Sequence, residues 1–130
     1  SRKQTRESVK DRLRDGFGIV IFPEGTTHIG PDLLEYRPSM FYISAEGDFP
    51  ITPIAIEYKD PNIAWVGQNK FVPHAWKHFG SRHIDVKVSY GPTMRNSDGG
   101  KLLETTREWT EKEALQLRAE WDTLNREEQK

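Results

Sequence analysis

Apolar positions in this chain fall into short groups separated by charged stretches. Ile19-Val20-Ile21-Phe22 is a continuous apolar run that stops at Pro23. A run of that length, rich in β-branched residues, predicts a buried strand from Phe17 to Phe22. Ile51–Tyr58 predicts a second strand, with Pro50 and Pro53 near its start. Pro53 has no backbone donor, so it requires a sheet edge or a bulge. From His83 to Tyr90 the pattern alternates: Ile84, Val86, Val88 and Tyr90 fall on one side, Asp85, Lys87 and Ser89 on the other. That period predicts a half-buried strand ended by Gly91-Pro92.

Helical spacing fills the intervals. Residues 1–15 are charged, with Val9 and Leu13 at i and i+4, and predict an exposed helix ended by Gly16. Pro38 suits the first position of a helix. Met40, Phe41, Ile43 and Ala45 make that helix apolar, hence buried, and Gly47 closes it. Ala64-Trp65-Val66 is short and apolar, and Pro73–Phe79 predicts a helix closed by Gly80. Ser97 or Asp98 can cap a long C-terminal helix with a seam of Leu103, Thr106, Thr110, Leu117, Trp121 and Leu124. Its remaining charges, such as Glu104 with Glu108 and Glu111 with Arg118, read as a solvated face. Strands alternating with helices predict an α/β fold with a mainly parallel or mixed sheet flanked by helices. Residues 1–98 form the body of this unit and 99–130 a charged C-terminal helix.

Composition narrows the function classes. The 130 residues suffice for one domain with a modest core. Hydrophobic residues make up 35% and charged residues 30%, and the net charge is −1. No broad basic field points to nucleic acid. There is no cysteine, which excludes disulfides and thiol catalysis. No window approaches the roughly 18 apolar residues of a membrane span. The chain opens with Ser and carries no signal peptide, and reads as a fragment of a longer protein.

The candidate chemistry lies where the first strand ends. Pro23-Glu24-Gly25-Thr26-Thr27 places a carboxylate, a glycine able to take φ > 0 and two hydroxyls at a strand's C-terminal end. In open α/β sheets ligands bind at that end. Phe22-Pro23-Glu24-Gly25-Thr26 resembles the third sequence block of the glycerolipid acyltransferases, the family of 1-acyl-glycerol-3-phosphate acyltransferase. Phe49-Pro50-Ile51-Thr52-Pro53-Ile54-Ala55-Ile56 resembles that family's fourth block. The resemblance covers about Ser8 to Tyr90 and implies an incomplete glycerol-3-phosphate acyltransferase-like fold.

The resemblance implies that Glu24, Gly25 and Thr26 hold the headgroup of a lysophospholipid acceptor. Physically, Glu24 can accept from acceptor hydroxyls or fix a neighbouring Arg, while the backbone N–H groups and hydroxyls of Gly25, Thr26 and Thr27 favour an anion. The alternative is that Glu24 only ties its loop to a nearby helix. Where relatives often have Arg after Gly-Thr, this chain has Thr27, which leaves an acceptor phosphate short of a cation. Arg37, just ahead of the apolar helix, is the substitute, since guanidinium holds phosphate bidentately. Its competing reading is a surface loop arginine. Pro50, Pro53 and Ile54 border an acyl pocket by resemblance, whereas their apolar character alone makes them core residues.

The family's base is the His of a His-x-x-x-x-Asp motif. His28, His74, His78 and His83 are followed five residues on by Leu33, Phe79, His83 and Val88, so none fits. No catalytic residue is therefore assigned, and the 130 residues alone are expected to be inactive. Arg2 or Arg6 could be remnants of the block that carries an acceptor-contacting Arg. His28 stands beside the site; His74 and His78 share a helix face but have no third metal ligand, and Asp32 and Glu35 lack ligand spacing. Trp65, Phe71, Trp76 and Phe79, interleaved with Lys70, Lys77 and Arg82, suit either a membrane interface or a core edge.

The resemblance implies transfer of a fatty acyl group from acyl-CoA or acyl carrier protein to lysophosphatidic acid. It implies no cofactor beyond that co-substrate, no metal, and a place at the cytoplasmic face of a membrane. Two alternatives stand beside it. One is a non-catalytic lipid- or phosphate-binding module of the same fold. The other is a nucleotide binder, which the absent Gly-x-x-x-x-Gly-Lys-Ser/Thr and Gly-x-Gly-x-x-Gly patterns disfavour.

Overall fold

A computed structural model describes residues 1–26, 32–61 and 83–130. The element order is α1 (Arg2–Arg14), α2 (Ser39–Gly47), β1 (Ile54–Tyr58), β2 (Val86–Tyr90) and α3 (Gly99–Glu128). The segments predicted around Ala64–Val66 and Pro73–Phe79, with His74, His78 and the interleaved aromatics, lie outside the described residues, as do Thr27 and His28.

The helices form where spacing and caps predict them. Ser1 and Gln4 make a reciprocal capping box at the start of α1, and Gly16 follows its end at φ +88°. Pro38 stands at the N-cap of α2. Phe41, Ile43 and Ala45 are buried, as the apolar run requires. Asp48, at φ 53°, turns the chain out of α2 in the left-handed region. Asp98, rather than Ser97, caps α3, accepting from the Lys101 N–H at 3.1 Å.

Expectation and structure part at the sheet. Among the described residues it has two strands, and they run antiparallel, with Ile54 opposite Tyr90 and Tyr58 opposite Val86. Strand direction follows from how the connection returns, which alternation does not encode. Phe17–Phe22 is not a strand. It has no regular structure, with Val20 80% and Phe22 77% exposed, because no described segment offers it a ladder partner. Pro53 behaves as its chemistry demands. It accepts from Gly91 N at 2.8 Å and cannot donate back, so the ladder breaks there and resumes as the Ile51–Met94 pair.

The faces of the sheet also reverse expectation. α3 packs against the side carrying Ala55, Glu57, Lys87 and Ser89. Lys87 pairs with Glu120 at 2.9 Å, and Ser89 donates to Glu113 at 2.8 Å. The apolar side, with Ile54, Ile56, Tyr58, Val86, Val88 and Tyr90, faces outward and is exposed. The deepest cluster instead joins Tyr36, Phe41 and Leu102, with Leu33, Ile51, Met94 and Leu103 against it.

Two helix positions are corrected with it. Leu124 is exposed rather than part of the seam. Arg118 is buried, and its partner is not Glu111. It meets Glu57 at 3.3 Å and Asp122 at 3.0 Å, and donates to the carbonyls of Tyr58 at 2.8 Å and Lys59 at 3.2 Å. Trp121 Nε1 donates to the Glu57 carbonyl at 2.9 Å. Burial raises the pKa of Glu57 above the ordinary 4.5, and the Arg118 charge opposes that rise.

Candidate functional site

The chain leaves its apolar run through a tight turn. Gly25 N donates to the Phe22 carbonyl at 2.9 Å, with Pro23 at the second position and Gly25 at φ +71°. Proline suits that second position because its φ is already fixed, and a positive φ is where glycine costs least. The turn is strapped to the approach to α2 at two points. Arg37 N donates to the Pro23 carbonyl at 2.8 Å. Leu34 N donates to Glu24 Oε2 at 2.7 Å. Glu24 is half-buried, while Gly25, Thr26 and Arg37 are exposed.

These straps bring together four of the residues singled out in the sequence. The Arg37 guanidinium lies directly against Gly25. A Cβ built at Gly25 would stand 2.5 Å from Nε, 2.6 Å from Cζ and 2.9 Å from Nη2. Arg37 is exposed, and no hydrogen bond or ion pair ties its guanidinium to another described residue. A carboxylate, a cation, a hydroxyl and a positive-φ corner thus share one edge of the molecule. That set can accept from ligand hydroxyls and hold an anion at the same time.

Sequence reasoning missed what supports this corner. Arg107 of α3 donates to the Leu33 carbonyl from Nη2 at 2.8 Å, fixing the strand of loop whose next N–H reaches Glu24. Glu111 holds the same guanidinium at 3.0 Å, and the Tyr36 ring lies 5.9 Å from it. Burial raises the Tyr36 phenol above its ordinary 10.0; a hydrogen bond with Thr110 opposes the rise, and the Glu24 charge adds to it. Tyr36 stacks on Phe41 at 5.9 Å. Spacing could not have linked Arg107 to Leu33, because they are 74 residues apart.

The other candidates lie elsewhere. Arg6 pairs with Glu46 at 2.9 Å near the far end of α2, which a nine-residue helix sets about 13 Å from Arg37. Lys10 shares Glu46, at 2.9 Å, and the two cations hold that carboxyl below its ordinary value. Arg2 lines the same shallow groove. Pro53 is buried against Gly91, whereas Pro50 and Ile54 are exposed, Ile54 on the open face of the sheet. Asp32 and Glu35 are exposed, and among the described residues no three His, Asp or Glu side chains gather as metal ligands. No helix among them is long and apolar enough to cross a membrane.

Residues 1–57 match the family model described as Acyltransferase. The chain is 32% identical to the lyso-ornithine lipid O-acyltransferase of Rhizobium meliloti (strain 1021), over 72% of this chain and 39% of that protein. It therefore spans about two fifths of the length of this curated relative. No solved structure matches it.

Proposed function

Because the chain belongs to the glycerolipid acyltransferase family, we infer that it forms the acceptor-binding part of a lysolipid O-acyltransferase. The observation that carries this reading is the open Arg37 guanidinium seated on Gly25 beside Glu24. In the reaction, a hydroxyl oxygen of the lysolipid attacks the thioester carbonyl of acyl-CoA or acyl carrier protein. The C–S bond breaks, an ester C–O bond forms, and the hydroxyl proton passes to a base. With no cysteine in the sequence, direct transfer from donor to acceptor suits the chain better than an acyl-thiol intermediate.

Each residue has a role in that scheme. Arg37 holds the anionic part of the acceptor headgroup, lysophosphatidic acid being the first candidate. Glu24, whose Oε2 accepts from the Leu34 N–H at 2.7 Å, faces the acceptor's hydroxyl end. Gly25, Thr26 and Thr27 complete the cradle, and Pro50, Pro53 and Ile54 border the acyl chain. Such substrates place the protein at the cytoplasmic face of a membrane. The base is not among these 130 residues, since none of the four His is followed five residues later by Asp. That same observation supports a second reading, a lipid- or phosphate-binding module without turnover.

Calorimetry separates both readings from a nucleotide binder, and turnover in a longer protein separates them from each other. The chain is expected to bind glycerol 3-phosphate and not ATP, and Arg37→Gln to weaken that binding at least about tenfold, the scale of a charge-assisted contact. Binding of ATP alone would overturn the reading. In a longer protein that carries this chain with a His-x-x-x-x-Asp segment, Arg37→Gln should raise the acceptor KM far more than the acyl-donor KM. Equal rises count against Arg37 as the acceptor's cation. Acyl transfer by the 130 residues alone, at the rate of such a protein, would refute the missing base.

A further inference from the structure

We propose that Gly25 is a positioning residue for anion recognition, because its missing side chain is the seat on which the Arg37 guanidinium rests. The proposal builds on the acceptor-site reading above and gives Gly25 a role through its missing side chain, since its N–H is spent on the Phe22 carbonyl at 2.9 Å. Two demands fall on position 25. Its φ of +71° turns the chain away from the corner that its N–H closes on the Phe22 carbonyl. Independently, Nε, Cζ and Nη2 of Arg37 all come within 2.9 Å of where a Cβ would stand. Real Cβ atoms essentially never come that close, so any side chain there drives the guanidinium off the corner. The Arg37 backbone cannot follow, because its N–H is held by the Pro23 carbonyl at 2.8 Å. The side chain alone must swing away, and it carries no ion pair to another described residue that would define a second position.

The consequence is a division of labour. Arg37 supplies the charge, and Gly25 fixes where that charge stands relative to Glu24. A planar guanidinium with its edge pre-set recognises a phosphate or carboxylate at lower entropic cost than a free arginine. Removing the seat should therefore weaken anion binding even though every ligand-contacting group remains.

The test is a double-mutant cycle on the 130-residue chain, read by calorimetric titration with glycerol 3-phosphate. Gly25→Ala is expected to weaken binding about five- to tenfold in the presence of Arg37. In the Arg37→Gln background the same change should have almost no effect. Gly25→Asn is the companion variant, since Asn tolerates positive φ yet carries a Cβ. It should lose binding as Gly25→Ala does, with a smaller fall in Tm. If Gly25→Ala weakens binding equally with and without Arg37, or if Gly25→Asn binds like wild type, the seat has no role. If Arg37→Gln itself leaves binding unchanged, the acceptor-site reading fails instead.

Discussion

At the scale of single residues, the most exposed premise in this protein is a buried one. Glu57 and Arg118 side chains are only 12% and 10% exposed, and neither could have been paired by spacing, since 61 positions separate them. Burial outweighs the Arg118 charge, so the Glu57 carboxyl titrates above its ordinary value. A raised carboxyl favours folding below the unfolded value of 4.5, and that contribution is lost as pH rises through the folded value. Arg118→Met removes the opposing charge and leaves the carboxylate alone. We expect it to cost about 3–5 kcal/mol at neutral pH. The deficit should shrink as pH falls toward 4.5, because protonation then relieves the buried charge. Glu57→Gln should cost much less, since Arg118 keeps the carbonyls of Tyr58 and Lys59 and the Asp122 carboxylate. Urea unfolding across that pH range checks both; a deficit that widens on acidification refutes the assignment. By contrast, Gly25 was legible in advance. Pro-x-Gly after an apolar run demands a turn whatever surrounds it, and the structure places Arg37 against it.

At the scale of elements, local signals decided whether a helix forms but not what it covers. Asp98 was one of two candidate caps, and its carboxylate takes the Lys101 N–H. Asp98→Ala should cost about 1 kcal/mol, and Ser97→Ala almost nothing. Equal losses in thermal unfolding would mean that the helix start is misplaced. The apolar run of α2 likewise foretold its burial, because Phe41 and Ile43 have nowhere else to go. The run Ile19–Phe22 gave an equally strong strand signal and formed none, since a strand needs a partner that a helix does not. Leu102, absent from the predicted seam, proves to be the fully buried contact between α3 and the Tyr36–Phe41 pair. Leu102→Ala should cost about 2–5 kcal/mol. Because α3 also carries Arg107, the same change should loosen the loop at Leu33. A variant that loses stability yet keeps glycerol 3-phosphate affinity would show that the helix does not brace the site.

At the scale of the whole molecule, the alternation of β2 was legible while its orientation was not. Period two says that Val86, Val88 and Tyr90 share a side; only tertiary packing says which side meets a helix. Here α3 brings Glu113, Glu120, Arg118 and Trp121, and these groups match Ser89, Lys87 and Glu57. The polar side is therefore the covered one, and an apolar face of six side chains across β1 and β2 is left to solvent in this chain. Exposed apolar area of that kind binds hydrophobic probes. We expect the 130 residues to enhance the fluorescence of 1-anilinonaphthalene-8-sulfonate while still folded. Ile56 and Val88 stand directly opposite each other in the register, each 44% exposed. The pair Ile56→Lys with Val88→Glu puts opposite charges there and buries nothing new. It should sharply lower dye fluorescence and leave the melting temperature within a few degrees, because α3 holds the other face. Dye binding that persists in the double variant would place the exposed apolar surface elsewhere, with the exposed Phe17–Phe22 segment the next to be substituted.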